Sequence, residues 1–182
     1  MAYTWTAPPT WVGTDVPTAA QLNDLSENLR FLRTKDRCHV YRNADQNVAD
    51  STWVLLTWNN EDFDNNTMHD NATNNSRVRC MSDGVYYVSF KVNFDTNTTG
   101  IRKVMLRKNS GGSDSGGTLL GTWTADGIGS DNTTVDASRI VPLNTGGTND
   151  YVELFAWQNS GGLIVTKAGS DKTYLQVVQY TG

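Results

Sequence analysis

Residues 83–95 read DGVYYVSFKVNFD. Asp-Gly signals a turn, and the residues after it alternate. Tyr86, Val88, Phe90, Val92 and Phe94 fall on one face. Val85, Tyr87, Ser89, Lys91 and Asn93 fall on the other. A period of two over this length predicts a half-buried strand, because successive side chains point to opposite faces. The first face is wholly apolar and must lie on a core. The second starts apolar at Val85 and Tyr87 and turns polar toward Asn93. Such a gradient implies that one end of the outer face meets another surface, which is a first sign of an oligomer.

Outward from this strand the pattern repeats. HVYRN (39–43), TWVLLTW (52–58), a short run at 77–81, GIRKVMLRKN (100–109) and TLLGTW (118–123) read as strands. So do TVDASRIVPLN (134–144), DYVELFAWQNS (150–160), LIVT (163–166) and KTYLQVVQY (172–180). Pro142 lacks an N–H for a ladder and predicts an edge or a strand end. Residues 59–75 are rich in Asn and Asp, whose side chains compete for local backbone bonds, and read as a long loop. The Gly/Ser stretch 110–117 reads as a flexible loop tip. Roughly ten strands between Gly/Asn turns, with no second helix, indicate one all-β sandwich.

The first 35 residues differ. Residues 1–17 have no period, and their prolines favour extended backbone. They hold Trp5 and Trp11, two of the six tryptophans, and Trp is enriched where interfaces are strongest. An arm that packs on something is expected, either on a partner or back on its own domain. Residues 18–34 predict one helix, opened by a capping box of Thr18 and Gln21. Leu22, Leu25, Leu29 and Leu32 are spaced as a coiled-coil seam. About four turns are too short to stand alone in water, so the seam needs a cover. That cover is either its own copies or another surface. The chain thus divides into arm 1–17, helix 18–35 and β domain 36–182.

Composition excludes several roles. The 182 residues carry a net charge of −4 and no Lys/Arg cluster, which argues against nucleic-acid binding. No apolar run is long enough to span a bilayer. The N-terminus shows neither basic nor apolar signal-peptide regions. Asn-x-Ser/Thr triplets at Asn65, Asn71, Asn74, Asn97 and Asn132 therefore read as polar loops. Cys38 and Cys80 are the only cysteines and lack metal-site spacing. Buried thiols are expected, with a cross-sheet disulfide formed after lysis as the alternative.

No catalytic motif is visible. His39 and His69 are the two histidines, and neither stands in a G-x-S-x-G or H-E-x-x-H context. No enzyme and no catalytic residues are expected. His39 reads as a structural strand residue, and Glu61 and Asp62 as solvated loop charges. Asp62, Asp64 and Asp70 are hard oxygen ligands of the kind calcium takes, although no EF-hand spacing accompanies them.

Two resemblances emerge from these residues. The β region, about 37–181, resembles the C1q/TNF-like jelly roll in DGVYYVSF, the NTTGIRKVMLRKN hairpin, NDYVELFAWQNSGG and the final TYLQVVQY. That resemblance implies a ten-stranded, two-sheet sandwich that trimerises through one sheet's outer face, and some C1q-like trimers hold calcium. The interface is expected at Val85, Tyr87, Tyr151, Phe155 and Trp157, which alternation places opposite the core. The N-terminus resembles the arm-plus-helix that opens many tailed-bacteriophage structural proteins. The matching residues are Trp5, Thr6, Pro8, Thr10, Trp11, Gly13, Thr18, Ala19, Leu22, Asn23, Asn28 and Leu29.

The resemblances imply a virion protein, assembled in the host cytoplasm and released by lysis. Attachment to other virion proteins, such as major capsid or tail proteins, would run through Trp5, Pro8, Trp11, Leu22, Leu25, Leu29 and Leu32. A head decoration or head fibre suits a short arm and one compact domain. A tail-associated adhesin for a host-surface glycan or protein is the alternative. An extracellular signalling ligand is disfavoured by the missing signal peptide and collagen-like repeat. No resident cofactor is expected, and calcium stays open.

Overall fold

The structure, a computed structural model, describes residues 6, 7, 10, 16–33 and 35–181. Among these residues one helix, α1 (Ala19–Arg33), precedes twelve strands. The strands are β1 (Arg37–Tyr41), β2 (Gln46–Val48), β3 (Val54–Leu55), β4 (Asn60–Asp64), β5 (Val78–Arg79) and β6 (Gly84–Phe94). They continue as β7 (Ile101–Lys108), β8 (Thr118–Asp126), β9 (Thr133–Leu143), β10 (Tyr151–Gln158), β11 (Ile164–Thr166) and β12 (Tyr174–Thr181).

The alternating stretch DGVYYVSFKVNFD folds as β6, the central strand of the larger sheet. It pairs with β9 on one edge and β12 on the other. β1 follows β12, and β4 follows β1. β11 meets the end of β6 at Phe94 and carries β2, making seven strands. The second sheet holds β3, β10, β7 and β8 in that order, with β5 also on β10. All these pairings are antiparallel, as a jelly roll requires.

The core lies between the sheets. Tyr86, Val88, Phe90, Val92 and Phe94 are buried, as their alternation demands. Val104, Leu106, Val152, Leu154 and Ala156 face them from the second sheet. Trp123 packs edge-on to Phe90 with ring centroids 5.0 Å apart, a geometry worth about 0.5–1.5 kcal/mol beyond area burial. Trp123 is thus a core residue at the margin of the sandwich. Trp58 is buried whole, and its indole N–H donates to the Ser76 carbonyl at 3.2 Å.

Several expectations change. Residues 52–58 form only the two-residue β3, although Leu56 N–H still donates to the Leu154 carbonyl at 2.9 Å. The predicted loop 59–75 begins with a true strand, β4, paired to β1. Its sequence NEDFD hides it, because a peripheral strand need not alternate apolar residues. Pro142 does sit on an edge strand, since among the described residues β9 pairs with β6 alone.

The Gly/Ser tip at 110–117 is tied down rather than loose. Its anchor is Glu153, fully buried on β10. The Glu153 carboxylate accepts hydrogen bonds from Ser76 Oγ at 2.7 Å, from the Gly112 N–H at 3.1 Å and from Ser110 Oγ. Arg77 Nε completes the set at 3.3 Å. A buried carboxylate is tolerated only when paired and hydrogen-bonded in this way.

Asp36 sets where the sandwich begins. Its buried carboxylate accepts from Asn66 Nδ2 at 2.7 Å, the Met81 N–H at 3.1 Å and the Tyr86 hydroxyl at 2.8 Å. Its carbonyl accepts from the Gln179 N–H at 2.7 Å. Burial, and then the Asp36 carboxylate, push the Tyr86 phenol well above its ordinary range.

Cys38 and Cys80 are buried free thiols. Burial is the main cause that pushes Cys80 up to about 12 and Cys38 higher still. The thiolate is the reactive form, and burial holds both thiols in the protonated, unreactive form near neutral pH. Both cysteines should therefore resist alkylation in the native protein and react promptly in denaturant, as mass spectrometry would read. Rapid native labelling of either would show that its strand opens readily.

Candidate functional site

The outer face of the seven-stranded sheet is the molecule's most distinctive surface. Register sets its rows. Tyr87 stands between Val178 of β12 and Ile140 of β9, with Arg37 of β1 beyond Val178. Val85 pairs with Pro142 and Thr181. The next row is polar: Ser89 between Gln176 and Ser138, with His39 beyond. Lys91 then lies between Tyr174 and Asp136. The polarity gradient visible along β6 is therefore shared by its neighbours, and the apolar end is a patch, not a stripe.

That patch is open. Tyr87 is 42% exposed, Ile140 59% and Tyr180 69%. Monomeric proteins seldom leave contiguous apolar surface of this kind uncovered. Beside it lies a shallow hollow of about 380 Å³, lined by Tyr87, Ser89, Asp136, Ser138, Tyr174 and Gln176. Hydroxyl, amide and carboxylate groups around aromatic rings give this hollow both apolar and hydrogen-bonding capacity. In the row that continues it, His39 packs between Tyr174 and Phe63, with centroids 4.8 and 5.8 Å away. Its Nδ1 stands 3.2 Å from the Asp62 carboxylate without hydrogen-bond alignment. Burial lowers the imidazole's pKa, and Asp62 opposes that shift only in part.

The residues expected to form one interface divide between two sheets. Val85 and Tyr87 belong to the patch. Tyr151, Phe155 and Trp157 lie on β10, in the other sheet. Phe155 is buried. Tyr151 accepts a hydrogen bond from the Gly111 N–H at 2.9 Å and lies under the Arg77 guanidinium, 4.4 Å from its ring centroid. Trp157 lies under the Lys103 ammonium at 4.5 Å and beside Trp53 at 6.3 Å. Alternation correctly places these three opposite the core, but only Phe155 is buried beneath its own chain, while Tyr151 and Trp157 stay half-buried beside Arg77 and Lys103. Ile140, Val178 and Tyr180 complete the patch without any sequence signal, because nothing in one strand's sequence tells which strands lie beside it.

The three aspartates are spent on the backbone or stand apart. The Asp64 carboxylate accepts from the N–H groups of Asn66, Met68 and His69 at 3.2, 3.0 and 2.9 Å. Asp70 accepts from the Ala72 and Thr73 N–H groups at 2.8 and 3.0 Å, which lowers its pKa. Asp62 faces His39. Among the described residues, no group of three His, Cys, Asp or Glu side chains is placed to hold a metal ion. His69 is buried: its Nδ1 meets Glu61 at 2.7 Å and its Nε2 meets the Asn75 carbonyl at 3.1 Å.

The helix provides a second surface. The capping box forms as the sequence predicts: Thr18 N–H donates to Gln21 Oε1 at 2.8 Å, and Gln21 N–H to Thr18 Oγ1 at 3.3 Å. Leu22, Leu25 and Leu29 are 52%, 48% and 59% exposed. Asn28, by contrast, is buried. Its Oδ1 accepts from the Thr6 N–H at 2.8 Å, and its Nδ2 donates to the Thr6 carbonyl at 2.6 Å. This two-bond clasp holds the arm to the helix. Trp5, Pro8 and Trp11 lie outside the described residues, as does the side chain of Leu32.

This chain has the TNF/C1q-type jelly-roll fold. Murine APRIL at pH 5.0 is similar, with a TM-score of 0.59 and 11% identity over 80% of this chain and 99% of that one. Eiger TNF from S. frugiperda gives 0.56 and 10% over 80% and 92%. No family model and no curated protein matches the sequence. At such identities the likeness is one of fold.

Proposed function

We propose that this chain is a structural protein on the surface of a phage particle, held by its N-terminal arm and projecting a trimeric jelly roll. The observation that carries the trimer is the open patch of Tyr87, Ile140 and Tyr180 on the seven-stranded sheet. The jelly-roll resemblance points the same way, since it implies trimerisation through one sheet's outer face. The phage assignment rests on the N-terminal motif. Its Asn28 has a visible purpose, because it clasps the arm backbone at Thr6. An extended arm carrying Trp5 and Trp11 suits anchoring to another virion protein, where a few aromatics supply most of the binding energy. A head decoration or head fibre is the favoured place. The role needs neither catalysis nor a cofactor.

An adhesin is the second reading. The Trp53–Trp157 pair with Lys103 gives the other sheet an aromatic surface on which a host glycan could stack.

Trp5→Ala combined with Trp11→Ala tests attachment. The variant should keep the wild-type mass and melting temperature yet be missing from purified particles. Normal incorporation would show that attachment runs elsewhere. Loss of the folded oligomer would show that the arm belongs to the fold.

A further inference from the structure

We propose that the leucine face of α1 packs on two further copies of α1, so that three helices form a parallel neck leading into the jelly rolls. This rests on the trimer proposed for the sandwich and adds a second, separate contact.

Three observations identify the occupant as another copy of the same helix. First, Leu22, Leu25 and Leu29 lie at a, d and a positions and form the narrow stripe of a coiled-coil seam. A helix meant to lie on a sheet needs a wider apolar face. All three leucines are about half exposed, so the chain's own sandwich does not cover them. Second, the residues flanking the seam at e and g are Gln21, Ser26, Asn28 and Arg33. Only Arg33, in the last turn, is charged, so along the rest of the seam identical helices can approach without like-charge repulsion. The charged Asp24 and Glu27 sit at c and f, away from the seam. The arm is clasped at Asn28, on the flank of the stripe, and with Thr6 held there the leucines keep their exposure. Third, α1 leads directly to Asp36, which is locked into the sandwich, and to Arg37 on the patch-bearing face. The helix seam and the sheet patch thus adjoin along the chain. Leucine at both a and d does not by itself fix the number of strands; the trimeric sandwich sets it at three.

Cysteine cross-linking in the full chain tests this. Leu25→Cys places a thiol on the seam, and Asp24→Cys places one on the outer side. Neighbouring seam positions approach within disulfide reach, while native Cys38 and Cys80 are buried. Under mild oxidation, Leu25→Cys should give covalent dimers as the main product on a non-reducing gel, and Asp24→Cys should not. Light scattering on the same samples separates the two claims. A trimer without cross-linking at Leu25→Cys overturns the neck and leaves the sandwich trimer standing. A monomer without cross-linking overturns both. Equal cross-linking of the two variants also overturns the neck, because it would reflect random collision.

Discussion

Tyr87→Glu with Ile140→Glu should convert the proposed trimer to monomers. The two residues are register partners on adjacent strands, β6 and β9, so their side chains share one patch. Both are largely exposed in the single chain, and replacing them removes nothing from its core. In the trimer each carboxylate would be taken from water without a partner, at a cost of several kcal/mol per ion. Three copies carry six such charges around one axis, and like-charge repulsion adds to the cost. Light scattering should show the mass falling from three chains to one. Circular dichroism should retain the β signature. A variant that stays trimeric would move the interface to another face. A variant that unfolds would show that the single sandwich cannot stand without its neighbours.

Phe90→Ala should remove about 3–5 kcal/mol, the usual cost of cutting a buried Phe to Ala. Phe90 is central to the middle strand of its sheet and packs edge-on against Trp123 of the opposing sheet. It also pairs with Leu175 and Ala137 on either side. The space it leaves is walled by two sheets whose ladders resist collapse. A loss of that size is a large share of the roughly 5–15 kcal/mol that holds a typical domain folded. Lys91→Ala gives the contrast. Lys91 points outward, and its ammonium donates to the Asp171 carbonyl at 2.9 Å. Its loss should cost about 0.5 kcal/mol, as for ordinary surface substitutions. Urea titration of both variants would read the difference. Equal effects would contradict the register of β6.

The fold was legible where one face of a strand met the core and the other did not. β6 announced itself by strict alternation, and with it came the sandwich and the buried set Tyr86 to Phe94. The capping box at Thr18 and Gln21 fixed the start of α1. What stayed hidden was lateral. β4 carries no apolar period, because it lies at the sheet's margin and pairs through its backbone. Glu153 and Arg102 are charged residues inside strands, yet both are fully buried. Glu153 is satisfied by Ser76, Arg77, Ser110 and Gly112, partners 41 to 77 positions away in sequence, which no local pattern links. Arg102 donates to the carbonyls of Asn97, Thr99 and Ile101 and so holds the turn before β7.

The candidate site shows the same limit. Alternation marked Tyr87, Phe155 and Trp157 as facing away from the core, and all three do. Whether an outward face is open depends on what the rest of the chain lays over it. Phe155 lies beneath its own chain, while Tyr87 is flanked by Val178 and Ile140 and stays open. The contact between arm and helix was half visible. Asn28 belongs to the N-terminal motif, but its clasp on Thr6 joins residues 22 positions apart, which no local pattern links.

The mass of the wild-type full chain in solution tests the trimer most directly. Light scattering at micromolar concentration should return three chain masses, stable on dilution across that range. A single chain mass would contradict the account, because the Tyr87–Ile140–Tyr180 patch would then be open surface with no partner of its own kind.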